Sequence, residues 1–168
     1  MSEHFTYEGF NFIMELVSDG DSGPPWKNGD SRGIVSEWRP NDSKRPGECV
    51  LHQGGSSCRF YDWRATMLKA RKEGWGLPPD EAKGLTKTQI IALAVQQDFE
   101  RMRRWCNDEW WYVGVVVILD EEDSKEQRSC WGIESDCEDY IREVRNDLAE
   151  ELLPFSRMER LMRKAAAS

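Results

Sequence analysis

Three side chains able to hold a zinc ion fall close together in the sequence: Cys49, His52 and Cys58. Cys49-x-x-His52 has a spacing that zinc ligands use. On a strand, however, residues three apart point to opposite faces, and the paired cysteine signature of a zinc site is missing. The expected reading is two small core thiols and one surface histidine, with no metal. A cysteine nucleophile has only His4 and His52 to serve as an imidazole base, so buried, inert thiols are expected instead. Asp108-Glu109 offers paired carboxylates for acid–base work, but the end of a helix uses such a pair equally well. Gly54-Gly55-Ser56-Ser57 lacks the lysine and the following helix of a phosphate-binding loop. No catalytic residue and no cofactor is predicted. Enzymatic activity stays open as an alternative.

The charge pattern is more specific. Residues 120–151 carry thirteen acids against four bases, a net of −9 in a chain whose total is −8. The acidity therefore belongs to one loop and one helix. On that helix Asp139, Glu143, Asp147 and the Glu150-Glu151 pair recur every three or four residues, away from the apolar stripe. At 1.5 Å rise, one i to i+4 step is about 6 Å, close to the separation of successive phosphates on a nucleic-acid strand. Such a row can occupy a groove shaped for nucleic acid; a solvated helix face is the plainer reading. The candidate interaction surface is Asp120, Glu121, Glu122, Asp123, Asp139, Glu143, Asp147, Glu150 and Glu151, with Trp26 and Trp111. Trp26 sits in a polar Gly/Pro-rich loop, 18–33, where an aromatic ring needs something to pack on. Trp110 and Trp111 alternate along a strand, so one of them leaves the face that the other occupies.

These residues need elements to place them. Glu8-Gly9 between aromatic runs predicts a hairpin, and Ile34–Trp38 and Cys49–Gln53 read as short strands. A short extended piece at Cys58–Tyr61 follows, then a helix capped by Asp62 and ended by Gly74. Thr86 caps a long helix running to about Asn107, with Ile90, Ile91, Leu93, Ala94, Val95, Phe99, Met102 and Cys106 on its broad apolar stripe. Trp110–Leu119 is the most strand-like run, and Arg128–Ser135 returns beside it. Arg103–Leu119 is thus the joint at which the long helix hands over to the central strand. The last helix runs from Cys137 to about Leu153, with Cys137, Tyr140, Ile141, Val144, Leu148 and Leu152 on its core face, and Pro154 interrupts it. The order ββββ–αα–ββ–α predicts an α+β fold, an antiparallel sheet with helices on one face. A single domain is expected over 1–154, with 155–168 a basic tail or short helix.

Composition sets the class. With 168 residues, 11% of them aromatic and eight of them tryptophan, the chain is long and apolar enough to bury a core. The net charge argues against a dedicated nucleic-acid binder. Met1-Ser-Glu-His-Phe5 has neither the basic nor the apolar region of an export signal, and the Val113–Leu119 run is too short to span a bilayer. The five cysteines form no CxxC pair; reduced thiols in a cytoplasm are expected.

Three blocks carry a resemblance: Arg59-Phe-Tyr-Asp-Trp-Arg64 through Glu73-Gly-Trp-Gly76; Asp98-Phe-Glu100 through Arg104-Trp-Cys-Asn-Asp-Glu-Trp-Trp-Tyr-Val-Gly-Val-Val-Val117; and Trp131-Gly-Ile-Glu-Ser-Asp136 leading to Tyr140. Together with Pro24-Pro25-Trp26 and Val35-Ser36-Glu37-Trp38, they resemble a family of small proteins from tailed bacteriophages, prophages and mobile elements. The resemblance covers most of the chain and brings no catalytic residues. It implies the cytoplasm of an infected bacterium, where small acidic proteins are often inhibitors of host defence, of the anti-restriction or anti-CRISPR kind. The leading expectation is a binding protein that inhibits a host nucleic-acid-targeting complex through 120–151. Its partner would be a host protein rather than DNA or a membrane. An enzyme acting on a nucleotide or base, and a phage regulatory or accessory protein, stay open, as does the oligomeric state.

Overall fold

The computed structural model describes residues 2–28, 32–120 and 126–166. In chain order the strands are β1 (Ser2–Tyr7), β2 (Phe10–Ser18), β3 (Arg39–Pro40), β4 (Glu48–Gly54), β5 (Ser57–Asp62), β6 (Tyr112–Leu119) and β7 (Gln127–Glu134). The helices are α1 (Trp63–Glu73), α2 (Pro79–Ala82), α3 (Lys87–Cys106) and α4 (Glu138–Ala166). The fold is α+β with antiparallel sheets, and its elements follow the predicted order. The chain divides into two compact units: Met1–Ser22 with Trp110–Ser168, and Gly23–Glu109. The second is inserted into the first between two strands that pair with each other.

The first unit is a four-stranded sheet in the order β1-β2-β6-β7, packed on one side by α4. Glu8 and Gly9 both take positive φ, 50° and 77°, as a two-residue hairpin turn between twisted strands requires. In β2 the side chains alternate, so Phe10, Phe12 and Met14 are buried. The β2–β6 register sets Phe12 opposite Leu119 and Met14 opposite Val117. Val113, Val115, Val117 and Leu119 complete the apolar face of β6. Ile141, Val144, Leu148, Ala149, Leu152 and Leu153 close over it from α4. Each large aliphatic side chain buried this way stabilises the unit by roughly 1.5–3 kcal/mol.

Two expectations for α4 are corrected. The helix does not stop at Leu153 but runs through Pro154 to Ala166. Leu152, Leu153 and Ser156 are buried on either side of the proline, and Phe155 packs on the same core. Packing of the buried side therefore outweighs the one hydrogen bond that Pro154 removes. Tyr140, expected on the core face, is instead exposed.

The second unit carries a three-stranded sheet, β3-β5-β4, with α1 and α3. Its core is Leu51, Tyr61, Ala70, Ile91, Val95 and Met102. The Asp62 carboxylate accepts from the Ala65 amide at 2.8 Å, the predicted cap of α1. At α3, Thr86 and Gln89 form a reciprocal capping box. Ile34–Trp38, expected as a strand, contributes a single bridge, Val35 to Tyr61. The Ser36 amide bonds to the Phe60 carbonyl, but it is the Ser36 hydroxyl that accepts from the Phe60 amide, both at 2.9 Å. A side chain thus replaces the backbone partner that would have continued the ladder. Among the described residues no helix is long and apolar enough to cross a membrane.

Candidate interaction surface

The outward side of α4 follows from its inward side. With Ile141, Val144, Leu148 and Leu152 facing the sheet, the 3.6-residue period turns Asp139, Glu143, Asp147, Glu150 and Glu151 to solvent, and all five are exposed. Two bases on the same stretch of helix could cancel them. Arg142 does so locally, donating to Asp139 at 2.9 Å. Arg145 turns the other way, lying 4.5 Å over the Phe5 ring and 3.6 Å from Glu3. Arg128, on β7, lies 3.7 Å from Glu151. Glu143, Asp147 and Glu150 have no ion-pair partner among the described residues. Two of these charges are felt at Tyr7, whose phenol is held above its ordinary value by burial first, then by the carboxylates of Glu150, Glu8 and Asp147.

The other members of the predicted surface are placed differently. Asp120 sits at the end of β6, 3.3 Å from the His4 ring. Glu121, Glu122 and Asp123 lie outside the described residues. Trp111 is 51% exposed, and its backbone is fixed: its amide donates to the Ser135 hydroxyl at 3.0 Å and its carbonyl accepts from the Ser135 amide at 2.9 Å. These bonds tie the start of β6 to the turn that enters α4, so Trp111 and the acidic row share one unit. Trp26 belongs to the other unit. It is half-buried in a 3-10 turn, with the Trp105 ring 5.3 Å away edge-on and the Arg59 guanidinium 5.2 Å over it. Trp110, next to Trp111, is buried, so the two neighbours part company as alternation predicts.

Sequence reasoning missed Trp131. It is as exposed as Trp111 and lies flat on β6 at Gly114, where a Cβ would come within 2.3 Å of the indole. A glycine inside a β-branched strand was the available signal, because it marks a close approach.

The other chemistry-bearing residues are engaged structurally. The Cys49 sulfur accepts from the Trp63 indole at 2.8 Å, and burial pushes its thiol up. Cys58 is buried and donates to Asn41 at 3.0 Å, while the His52 ring packs on Trp38. The three potential zinc ligands do not converge. The His, Cys and carboxylate donors that do converge among the described residues are Glu134, Asp136 and Cys137, an acidic turn of a kind common without a metal. Burial pushes the Cys106 thiol up to about 11, leaving it protonated at neutral pH and a poor nucleophile. Glu109 closes the end of α3, accepting from Arg104 and Asn107 at 3.2 Å each. Gly55-Ser56 is the tight turn of the β4–β5 hairpin. A polar cleft of about 430 Å³ opens in the second unit, lined by Arg32, Trp75, Gln97, Asp98 and Arg101. At its floor one Asp98 oxygen is committed, accepting from the Tyr61 hydroxyl at 2.8 Å and the Gly33 amide at 2.9 Å.

Comparison with family models, with curated proteins and with solved structures returned no match.

Proposed function

We propose that this chain is a binding protein of a bacteriophage or mobile element, acting in the cytoplasm of its bacterial host. It inhibits a nucleic-acid-targeting defence complex, of the anti-restriction or anti-CRISPR type, by seating the acidic face of α4 in that complex's nucleic-acid groove. The observation that carries this reading is the run Glu143, Asp147, Glu150. These are three exposed carboxylates without ion-pair partners among the described residues, on a helix whose opposite side is locked into a core. A row held this way loses little conformational entropy on binding, and its spacing suits a groove lined for phosphates. The same charge turns away DNA and anionic membranes, so a basic protein surface is the complementary partner. Trp111, exposed beside the turn into α4, supplies an aromatic anchor of the kind that dominates interface energetics.

The test is capture of the partner from a bacterial lysate, followed by competition with nucleic acid. The wild-type chain is expected to displace DNA or RNA from the captured complex, in a salt-dependent manner. Asp139→Lys, Glu143→Lys and Asp147→Lys combined should weaken capture by roughly a hundredfold or more. Because the replaced side chains are exposed, the melting temperature should stay within about 3 °C. Full binding by the triple variant, or a partner that still holds its nucleic acid, would sink the reading.

A further inference from the structure

The acidic row occupies only the first half of the exposed stripe on α4, and the second half has the opposite sign. Along the side facing away from the core, positions follow one another at alternating steps of four and three: Glu143, Asp147, Glu150, Pro154, Arg157, Leu161, Lys164. That alternation is the seam spacing of paired helices. All seven residues are exposed. The charges are antisymmetric about Pro154, with acids before it and bases after. Large apolar side chains are left uncovered in the second half: Met158 at 54% exposure, Leu161 at 68% and Met162 at 65%. This half is held against its own unit, because the Arg160 guanidinium donates to the Gly9 carbonyl at 3.1 Å and lies 4.1 Å over the Phe10 ring. The outward stripe is therefore presented in a defined orientation.

We propose that α4 is a self-pairing surface, and that its occupant is α4 of a second copy of this chain, running antiparallel with Pro154 at the two-fold axis. Turned end for end, the stripe complements itself. Glu150 of one copy meets Arg157 of the other, Glu143 meets Lys164, and Asp147 falls between Arg157 and Lys164 beside Leu161. Each contact occurs twice, as in any isologous dimer. A parallel arrangement sets acid against acid and base against base along the whole seam, so the charge pattern selects the direction. Leu161 on the stripe and Met158 flanking it lose solvent in the antiparallel pair and supply its apolar component. One helix face is a small interface compared with the ~800 Å² per partner of stable complexes. The dimer is accordingly weak and salt-sensitive. An anionic lipid surface would also suit a basic, Met- and Leu-bearing helix face, but it would meet the adjoining acidic half and a chain of net charge −8. The pairing stands whether or not the acidic row also meets a host complex; a paired row is closed to any other partner.

The experiment is sedimentation of the full-length protein over a hundredfold concentration range, at low salt and at about 0.5 M salt. A concentration-dependent monomer–dimer equilibrium is expected, weakened at least tenfold by salt. Two variants are then compared. One carries Glu143→Lys, Asp147→Lys and Glu150→Lys; the other carries Arg157→Glu and Lys164→Glu. Each alone should be monomeric, and an equimolar mixture of the two should dimerise. Zero-length carbodiimide coupling fixes the direction. Glu143 and Lys164 are about 32 Å apart along one helix, so a covalent link between them can come only from two copies. Wild-type protein that stays monomeric and a mixture that does not associate would overturn the proposal. So would a dimer lacking the Glu143–Lys164 link, or one that both variants still form alone. Wild-type protein that binds anionic vesicles instead of itself assigns the stripe to lipid and overturns it equally.

Discussion

Asp98 is the residue whose surroundings are most demanding. Its carboxylate is 7% exposed at the floor of the polar cleft. One oxygen accepts from Tyr61 and Gly33; the other has no hydrogen-bond partner among the described residues, with the Arg32 guanidinium 4.0 Å away. Gly33 is required by closeness: a Cβ there would lie 2.3 Å from the Tyr61 ring and 2.5 Å from the Asp98 oxygen. Burial raises the Asp98 carboxyl above its ordinary value, against the opposing pull of the Tyr61 hydroxyl, the Gly33 amide, Arg32 and Lys69. A group raised in the folded state binds its proton more tightly there than in the unfolded chain. Its contribution is greatest below the unfolded value near 3.8 and is lost as pH rises through the folded value. Asp98→Asn should remove that falling segment from a plot of urea midpoint against pH, while the wild type retains it. Identical slopes for both chains would mean that Asp98 titrates normally. None of this was legible from the sequence, where Asp98 reads as one polar residue on a helix. Its partners are 37 and 65 positions away, and local periodicity says nothing about such pairings.

At the scale of elements, α4 holds an internal conflict. Pro154 stands inside a helix of 29 residues, on its exposed side. It lacks the amide that would bond to the Glu150 carbonyl, and its ring crowds the preceding turn. The buried Ser156 hydroxyl donates to the Leu152 carbonyl at 3.1 Å, so it is not itself left unpaired beside the proline. Pro154→Ala restores the missing donor without touching the core. It should raise stability by about 1–3 kcal/mol and increase the helical circular dichroism signal. A drop in melting temperature would show instead that the helix depends on the proline. The same conflict explains why the sequence placed the helix end too early: local chemistry at Pro154 points to termination, and only the buried Leu152, Leu153 and Ser156 reverse it. Where local chemistry and tertiary packing agree, the sequence was readable. Asp62 and the Thr86–Gln89 box cap their helices, Glu8-Gly9 turns its hairpin, and the acidic row falls on the outer face of α4. Exposure of Tyr140 and the two-sheet arrangement depend on long-range pairing, which periodicity along the chain does not encode.

At the scale of the whole molecule, the chain leaves its first unit after Ser22 and returns at Trp110. Those two points are ends of neighbouring strands. Ser18 pairs with Val113, and the Asp19 amide donates to the Tyr112 carbonyl at 2.9 Å. The Asp19 carboxylate then fastens the exit loop. It accepts from the Ser22 hydroxyl at 2.6 Å and from the Gly132 amide on β7 at 3.0 Å. The Ser22 hydroxyl first, and then the amides of Asp21, Gly132 and Ser22, hold that carboxyl below the usual range in spite of burial. The sheet β1-β2-β6-β7 and its covering helix are thus closed by contacts among themselves. Gly23–Glu109 enters as a long insertion in one hairpin-like connection, and loop closure grows only slowly with insertion length. Replacing Gly23–Glu109 with a short glycine–serine linker from Ser22 to Trp110 should therefore give a chain that unfolds cooperatively on heating. That shortened chain should keep the α4 helical signal and, with Trp111 and the acidic row in place, the capture proposed for the full chain. A melt without a cooperative transition would show that the first unit depends on the inserted one. Cooperative folding without capture would leave the unit intact and move the decisive contacts into residues 23–109.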